Sequence, residues 1–263
     1  MNALDEVIAD LEPVSLEELS GAAALLDRVD RKYFVPRELL GTLLREMQGL
    51  RVLEIGGART FLYRTVYFDS PEFTFFRQHV QRRRHRYKVR TRTYTESGTC
   101  MLEVKSKGLR GRTLKERRPH DVDRSDALDA SDREYVSSLI GSDGSDLKPV
   151  LQTYYHRTTL SLGEQRVTLD TDLDCENDEQ KVTGPQDVLV ETKSPDGAGD
   201  LDRLLLQHGI RPHSVSKYCI GAALLYPHLH HNDWSRLLRR YWPGATRRRQ
   251  RPATRRTATT RRG

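Results

Sequence analysis

Four cations occupy every second position of Arg86-Tyr87-Lys88-Val89-Arg90-Thr91-Arg92. In a β-strand that spacing projects Arg86, Lys88, Arg90 and Arg92 from one face. At ~3.3 Å rise per residue they stand ~6.6 Å apart and repel one another. Such a face is either left to water or built to hold something strongly anionic. Two further stretches, Glu103-Val104-Lys105-Ser106-Lys107 and Glu191-Thr192-Lys193, set a carboxylate beside lysines on one face. A salt bridge is the simpler reading of both. The pairs point rather to a divalent cation held by the carboxylate and bridging phosphate oxygens. Lys115 and Arg117 also share a face, on the strand after Gly111. Arg82-Arg83-Arg84-His85 point to both faces and read as a solvated loop, or as a rim that draws anions inward.

The chain of 263 residues is 36% hydrophobic and 31% charged, enough for one large domain or two small ones. No apolar run approaches the ~18 residues that span a bilayer, so no transmembrane segment is expected. The acidic N-terminus (Asp5, Glu6, Asp10, Glu12) is unlike a signal peptide. Cys100, Cys175 and Cys219 are too scattered for a disulfide framework or a zinc site, which predicts buried free thiols and a cytoplasmic protein. The net charge is +7, and residues 244–263 hold eight arginines, which leaves −1 for residues 1–243. The cations of the body are therefore local, which argues against a nucleic-acid-coating surface and for a focused site. The Arg-rich tail has almost nothing apolar to bury and predicts disorder. Its possible contacts are polyanions: polyphosphate, RNA or an anionic membrane. The histidines form no ligand spacing, and no nucleophile triad, Walker loop or dinucleotide motif is visible.

The elements that must position these groups follow from periodicity. Ser15-Leu16-Glu17-Glu18 is a capping box opening a helix with Leu19, Ala22, Ala23 and Leu26. Asp30 to Val35 reads as a strand with Asp30, Lys32 and Phe34 on one face. Pro36 starts a helix through Leu39, Leu40, Leu43, Leu44 and Met47. A strand covers about Phe61 to Asp69, with Arg64, Val66 and Phe68 sharing a face. Ser70-Pro71 opens a helical turn. Antiparallel strands follow from Arg82 to Arg118, with turns at Glu96-Ser97-Gly98 and Gly108-Leu109-Arg110-Gly111. After a helix at 125–140, strands resume near 149–160, 165–173 and 187–194. In the second of these, Asp170 and Asp172 share the face of Arg166 and could support a metal's ligands with further carboxylates, or Asp170 could pair with Arg166. Helices are expected at 200–208, 216–225 and 233–241. The class is α+β with a mostly antiparallel sheet. Closing that sheet into a barrel with a polar lumen accounts for the cations and the carboxylates among them. The expected organisation is a helical segment at 1–27, the barrel domain at 28–229, a C-terminal helix at 230–243 and a disordered tail at 244–263.

Six segments, in order, resemble the VTC (vacuolar transporter chaperone) domain of polyphosphate polymerases, within the CYTH-like triphosphate tunnel metalloenzymes. They are Asp-Arg-Lys-Tyr-Phe-Val (30–35), Tyr-Arg-Thr-Val-Tyr-Phe-Asp-Ser (63–70) and Tyr-Lys-Val-Arg-Thr-Arg (87–92). Leu-Glu-Val-Lys-Ser-Lys (102–107), Leu-Val-Glu-Thr-Lys-Ser (189–194) and Ser-Val-Ser-Lys-Tyr (214–218) complete the set. The resemblance implies an eight-stranded antiparallel β-barrel, the triphosphate tunnel, with flanking helices. It places catalytic tunnel cations at Lys32, Arg64, Arg90, Arg92 and Lys217, and phosphate-binding ones at Lys105, Arg157, Arg166 and Lys193. The strand alternation adds Lys88, Lys107, Lys115 and Arg117 to the phosphate-binding set. Glu191 matches the family's metal carboxylate for Mn²⁺ or Mg²⁺, and Glu103 is a second candidate. The implied activity is a metal-dependent transfer of the terminal phosphate of ATP to a growing polyphosphate chain. The alternatives are a tunnel-fold inorganic or nucleoside triphosphatase, and a non-catalytic module that binds polyphosphate or nucleic acid.

Overall fold

The computed structural model describes residues 2–22, 29–107, 113–195 and 197–248. In chain order they form α1 (Ala3–Asp10), β1 (Glu12–Val14), α2 (Leu16–Ala22), β2 (Val29–Val35), α3 (Arg37–Arg45), β3 (Arg51–Leu53), β4 (Thr60–Asp69) and α4 (Thr74–Val80). Next come β5 (Tyr87–Tyr94), β6 (Thr99–Lys107), β7 (Thr113–His120), α5 (Ala130–Ile140), β8 (Lys148–Leu162) and β9 (Gln165–Glu176). The chain continues with β10 (Lys181–Thr183), β11 (Val188–Ser194), α6 (Asp200–Gln207), α7 (Lys217–Leu225), α8 (Ser235–Tyr241) and α9 (Pro243–Arg248). The turn expected at 108–111 and the helix expected beyond Ala22 lie outside the described residues.

The fold is α+β, and among the described residues the sheet holds 11 strands rather than eight. Its main path runs β2-β11-β9-β8-β4-β5-β6-β7, every pair antiparallel. β10 extends β9, β3 pairs with β8, and β1 lies parallel to β3. Among the described residues no ladder joins β2 to β7, so the expected barrel is corrected to a curled sheet open at that seam. Both edges have a physical reason to stay apart. The His213 N–H donates to the Lys32 carbonyl at 2.7 Å, so the segment before α7 lies against the edge of β2. Pro119 removes a donor from β7, as suits an edge strand. The curl nonetheless brings opposite walls within electrostatic reach. Glu191 on β11 feels Lys105 on β6, and Lys88 on β5 feels Lys32 on β2.

Alternation assigns the two faces. On the convex side, Tyr33, Val35, Val167, Leu169, Val188 and Val190 pack under α1, α3 and α6. A methyl at Gly41 of α3 would stand 2.9 Å from backbone atoms of Ala3 and Leu4, so only glycine lets α1 and α3 touch. A second convex cluster joins Val66, Phe68, Val89, Leu102 and Val104 to Phe75 of α4 and to Val136 and Ile140 of α5. The concave side is divided. Ser216 caps α7 by accepting from the Cys219 N–H, and Tyr218 to Leu225 are all buried. With the α8 region they pack on Phe34, Tyr67, Leu151, Leu173, Cys175 and Leu189. An apolar plug thus fills part of what was expected to be a polar lumen throughout.

A bulge in β9 marks the change from polar to apolar lining. Asp172 has φ 54° and the β8–β9 register shifts beside it. Asp170 therefore faces in, Asp172 turns out to Arg37 at 3.1 Å, and Leu173 and Cys175 face the plug. The expectation that Asp170 and Asp172 share a face fails for this reason.

Asp69 ties the sheet to α4 and α7. Its buried carboxylate accepts from the N–H groups of Ser70, Phe75 and Phe76 and from the Tyr218 hydroxyl. Removing one acceptor charge from such a network costs roughly 1.5–3 kcal/mol. Asp69→Asn is expected to lower the urea midpoint accordingly, and Tyr218→Phe to lower it less. An unchanged midpoint in both variants would remove Asp69 as a tether.

All three cysteines are free and buried. No described helix is long and apolar enough to cross a membrane. Helix α9 reaches into residues expected to be disordered, and residues 249–263 lie outside the described set.

Candidate functional site

Cations from seven strands and one helix face the polar part of the concave side. β5 contributes Lys88, Arg90 and Arg92, because the alternation that opened the sequence is kept in register with β4 and β6. Arg90 lies opposite Tyr67 and Glu103, Arg92 opposite Thr65 and Met101, and Lys88 opposite Lys105. β6 and β7 add Lys105, Lys107, Lys115 and Arg117 on the same face, Arg117 at an exposed position. β8 supplies Arg157, β9 Arg166, β11 Lys193 and β2 Lys32. Lys217 enters from the first turn of α7.

Three carboxylates organise these charges. Glu103 is fully buried and accepts from Arg90 Nε and Nη2 at 2.8 and 2.6 Å. Lys115 also pairs with it, and Arg92 stands 3.9 Å away. Asp170, likewise buried, takes the two-pronged fork of Arg157 at 2.6 and 2.8 Å and meets Lys217. The structure thus gives Asp170 two cation partners that the sequence did not assign to it, Arg157 and Lys217. Glu191 pairs with Lys193 and stands 3.8 Å from Lys32. For all three, burial pushes the carboxyl pKa up, but the surrounding cations outweigh it and hold the group below the usual carboxylate range. The three are therefore ionised and poor proton acceptors. They lie on different strands, and the described residues hold no cluster of three or more His, Cys, Asp or Glu suited to a metal.

The cations carry the opposite strain. Burial, and then neighbouring arginines, depress Lys105 well below an ordinary lysine despite Glu191 and Glu103. Lys193 and Lys115 are lowered chiefly by burial. Lys88 falls from 10.5 to about 8, through burial first and then Arg90, Lys32 and Arg86, against a partial offset from Cys219. Between about 8 and 10.5 the unfolded chain holds more protons at this position than the folded one. Its charge therefore opposes folding below pH 8, and the penalty fades as pH rises through that window. Lys88→Met is expected to raise the melting temperature at pH 7.5 and to flatten its pH dependence above 8. Binding of inorganic tripolyphosphate has the reverse sign: at pH 8.5 it takes up a proton, which titration calorimetry in buffers of different ionisation enthalpy reads directly. Identical heats in all buffers would contradict the Lys88 assignment.

Arg64 does not join the site. It shares the convex face of Val66 and Phe68, as its strand parity foretold, and donates to Gln152 at 3.0 Å and Ser125 at 2.7 Å. The tunnel position that the resemblance gave it is corrected to a tether for the 121–129 segment.

Sequence reasoning passed over several lining groups. Thr153, Tyr155 and Thr168 face the same side, and their buried hydroxyls have no hydrogen-bond partner among the described residues. Tyr155 stands two positions before Arg157, a signal the same alternation rule could have read. Lys217 Nζ is 4.1 Å from the centre of its ring, and Arg157 stacks at 5.3 Å. Burial raises the Tyr155 pKa, but Arg92, Arg157 and Lys217 together bring it below the ordinary phenol value.

With this geometry in view, the comparisons are specific about family. The VTC domain model matches residues 27–226. The chain belongs to the VTC domain family. That match spans every strand from β2 to β11 and ends just after α7, so the VTC domain contains the whole cation-lined face. No curated protein matches the chain. Among solved structures, a putative adenylate cyclase from Bacillus halodurans is similar at 15% identity and TM-score 0.49, covering 72% of this chain and 94% of that one. A putative adenylyl cyclase from Hippeastrum, described as having a dominant triphosphatase activity, is similar at 16% identity and TM-score 0.48, covering 78% and 100%. A putative adenylate cyclase from Vibrio parahaemolyticus is similar at 15% identity and TM-score 0.44, covering 74% and 98%.

Proposed function

We propose that this VTC domain is a metal-dependent polyphosphate polymerase that moves the terminal phosphate of ATP onto a growing polyphosphate chain. The observation that carries the reading is the pairing of a multi-strand cation lining with carboxylates that are all held ionised by those cations. A hydrolase must activate a water, and these three carboxylates are each engaged by cations. A polyphosphate end needs no base, because its terminal oxygen is already anionic. That oxygen attacks the γ-phosphorus, the β–γ bridging P–O bond breaks, and ADP leaves with the bridging oxygen. Catalysis is then alignment and charge neutralisation.

Arg90 and Arg92 project as neighbouring forks from one strand and would grip the transferring phosphoryl group. Arg157 and Lys217, pre-aimed by Asp170, would hold the adjoining phosphates, with the hydroxyls of Tyr155 and Thr168 as donors. Lys32, Lys88, Lys105, Lys107, Lys115, Arg117, Arg166 and Lys193 extend the track that keeps a long anion in place. Glu191 fits the protein's share of a Mg²⁺ or Mn²⁺ shell, since such ions use one or two carboxylates and complete the set with phosphate oxygens and water. A metal ion held there would supply neutralisation of charge on the phosphate oxygens.

Purified protein incubated with ATP and Mn²⁺ or Mg²⁺, followed by gel separation, tests the reading. Ladder-forming polyphosphate with matching ADP is expected. Free phosphate without polymer would identify a triphosphatase and overturn the proposal.

A further inference from the structure

One part of the concave lining is unsuited to phosphate. Phe61, Tyr63, Tyr94 and Tyr155 form an aromatic wall where β4 is flanked by β5 and β8. Tyr63 lies directly opposite Tyr94 on one side and Tyr155 on the other, and Phe61 lies opposite Arg157. Tyr63 stacks on Tyr155 with ring centres 5.4 Å apart and meets Tyr94 edge-on at 5.0 Å. The guanidinium groups of Arg92 and Arg157 approach the Tyr63 ring at 5.5 and 5.2 Å. Aromatic faces carry negative charge density and offer phosphate no donor. Yet Phe61 and Tyr94 are only half-buried, and Phe61 makes no ring contact among the described residues. Open ring surface therefore stands one strand step beyond the phosphate forks: Tyr94 is two residues past Arg92, and Phe61 pairs across from Arg157.

We infer that Tyr94 and Phe61 form a nucleobase platform, so that this site selects a nucleoside triphosphate over inorganic triphosphate as phosphoryl donor. The inference rests on the proposed function for its triphosphate site and adds the part of the substrate that site leaves unassigned. A heteroaromatic base is the one portion of ATP that gains from stacking on a ring face, and stacking is indifferent to base identity. Tyr63, already packed on Tyr155 and beneath two guanidinium groups, instead braces Arg92 and Arg157. The expected specificity is therefore broad among nucleoside triphosphates.

Titration calorimetry without divalent metal, which separates binding from turnover, tests this with ATP, CTP and inorganic tripolyphosphate. In Tyr94→Ala and Phe61→Ala, ATP and CTP affinity is expected to fall about tenfold. Tripolyphosphate affinity is expected to stay within about twofold of the unmodified protein. Tyr94→Phe should restore ATP binding, because the ring and not the hydroxyl makes the contact. Tyr63→Ala should weaken all three ligands together. Equal losses for ATP and tripolyphosphate in Tyr94→Ala and Phe61→Ala, or no loss for either, would overturn the platform. Failure of the unmodified protein to bind any of the three would overturn both this inference and the triphosphate site beneath it. Normal selectivity in a protein that makes no polymer would overturn the polymerase reading alone.

Discussion

Arg92→Ala is expected to lower polymer formation about 10²–10³-fold while leaving the unfolding midpoint nearly unchanged. The separation of the two effects comes from how this side chain is held. Arg92 is buried, but its internal contacts are long: 3.4 Å to the Thr65 hydroxyl and 3.9 Å to Glu103. Its guanidinium is therefore held by long contacts to Thr65, Glu103 and the Tyr63 ring and remains available to a phosphate. Arg90 is the instructive contrast. It donates twice to a carboxylate with no solvent exposure, and its loss leaves Glu103 to Lys115 and the distant Arg92. Breaking one side of a buried pair costs roughly 3–5 kcal/mol. Arg90→Ala is accordingly expected to lose both activity and stability, and Arg90→Ala with Glu103→Gln to recover stability without activity. Steady-state ADP release beside urea unfolding resolves these outcomes. Full turnover in Arg92→Ala would remove β5 from the phosphoryl-transfer site.

Glu191→Gln should split binding from turnover. The carboxylate stands among Lys193, Lys32, Lys105 and Arg157 and is an acidic group that those four cations share. Its neutralisation leaves a more positive wall, so metal-free tripolyphosphate is expected to bind as tightly as before or more so. Turnover with Mn²⁺ or Mg²⁺ is expected to fall at least about 10²-fold, since the wall loses its metal holder. Manganese binding followed by electron paramagnetic resonance should weaken in parallel. A merely structural salt bridge would give a different pattern, with lower thermal stability and unchanged metal dependence. Retained turnover together with retained manganese affinity would end the metal role of Glu191.

Much of this face was readable before any coordinates, because pleating converts a period of two into a shared surface. Lys88, Arg90 and Arg92, Lys105 and Lys107, Glu191 and Lys193, and Lys32 with Phe34 all follow that rule. The same rule set Arg64 on the face of the apolar Val66 and Phe68 while the resemblance placed it in the tunnel, and the structure keeps it with Val66 and Phe68. The rule broke at Asp172, where an extra residue with φ 54° reverses the parity of β9. The sequence also announced α7 as a helix facing the core, without saying on which side of the sheet that core would lie. Its insertion into the curl, rather than onto the outside, turned part of an expected lumen into core.

The order of side chains along each strand, and hence which charges travel together, was determined by the amino-acid sequence alone. So was family membership, which rests on short motifs local to single strands. Only the tertiary structure decided which acid each base would meet: Asp170 with Arg157 and Lys217, Glu103 with Arg90 and Lys115. It also decided that, among the described residues, no ladder closes the sheet between β2 and β7. The reason is that periodicity is a property of a few consecutive residues. Partner choice depends instead on how far the sheet curls, on one bulge, and on a helix from the far end of the chain competing for the same concave surface.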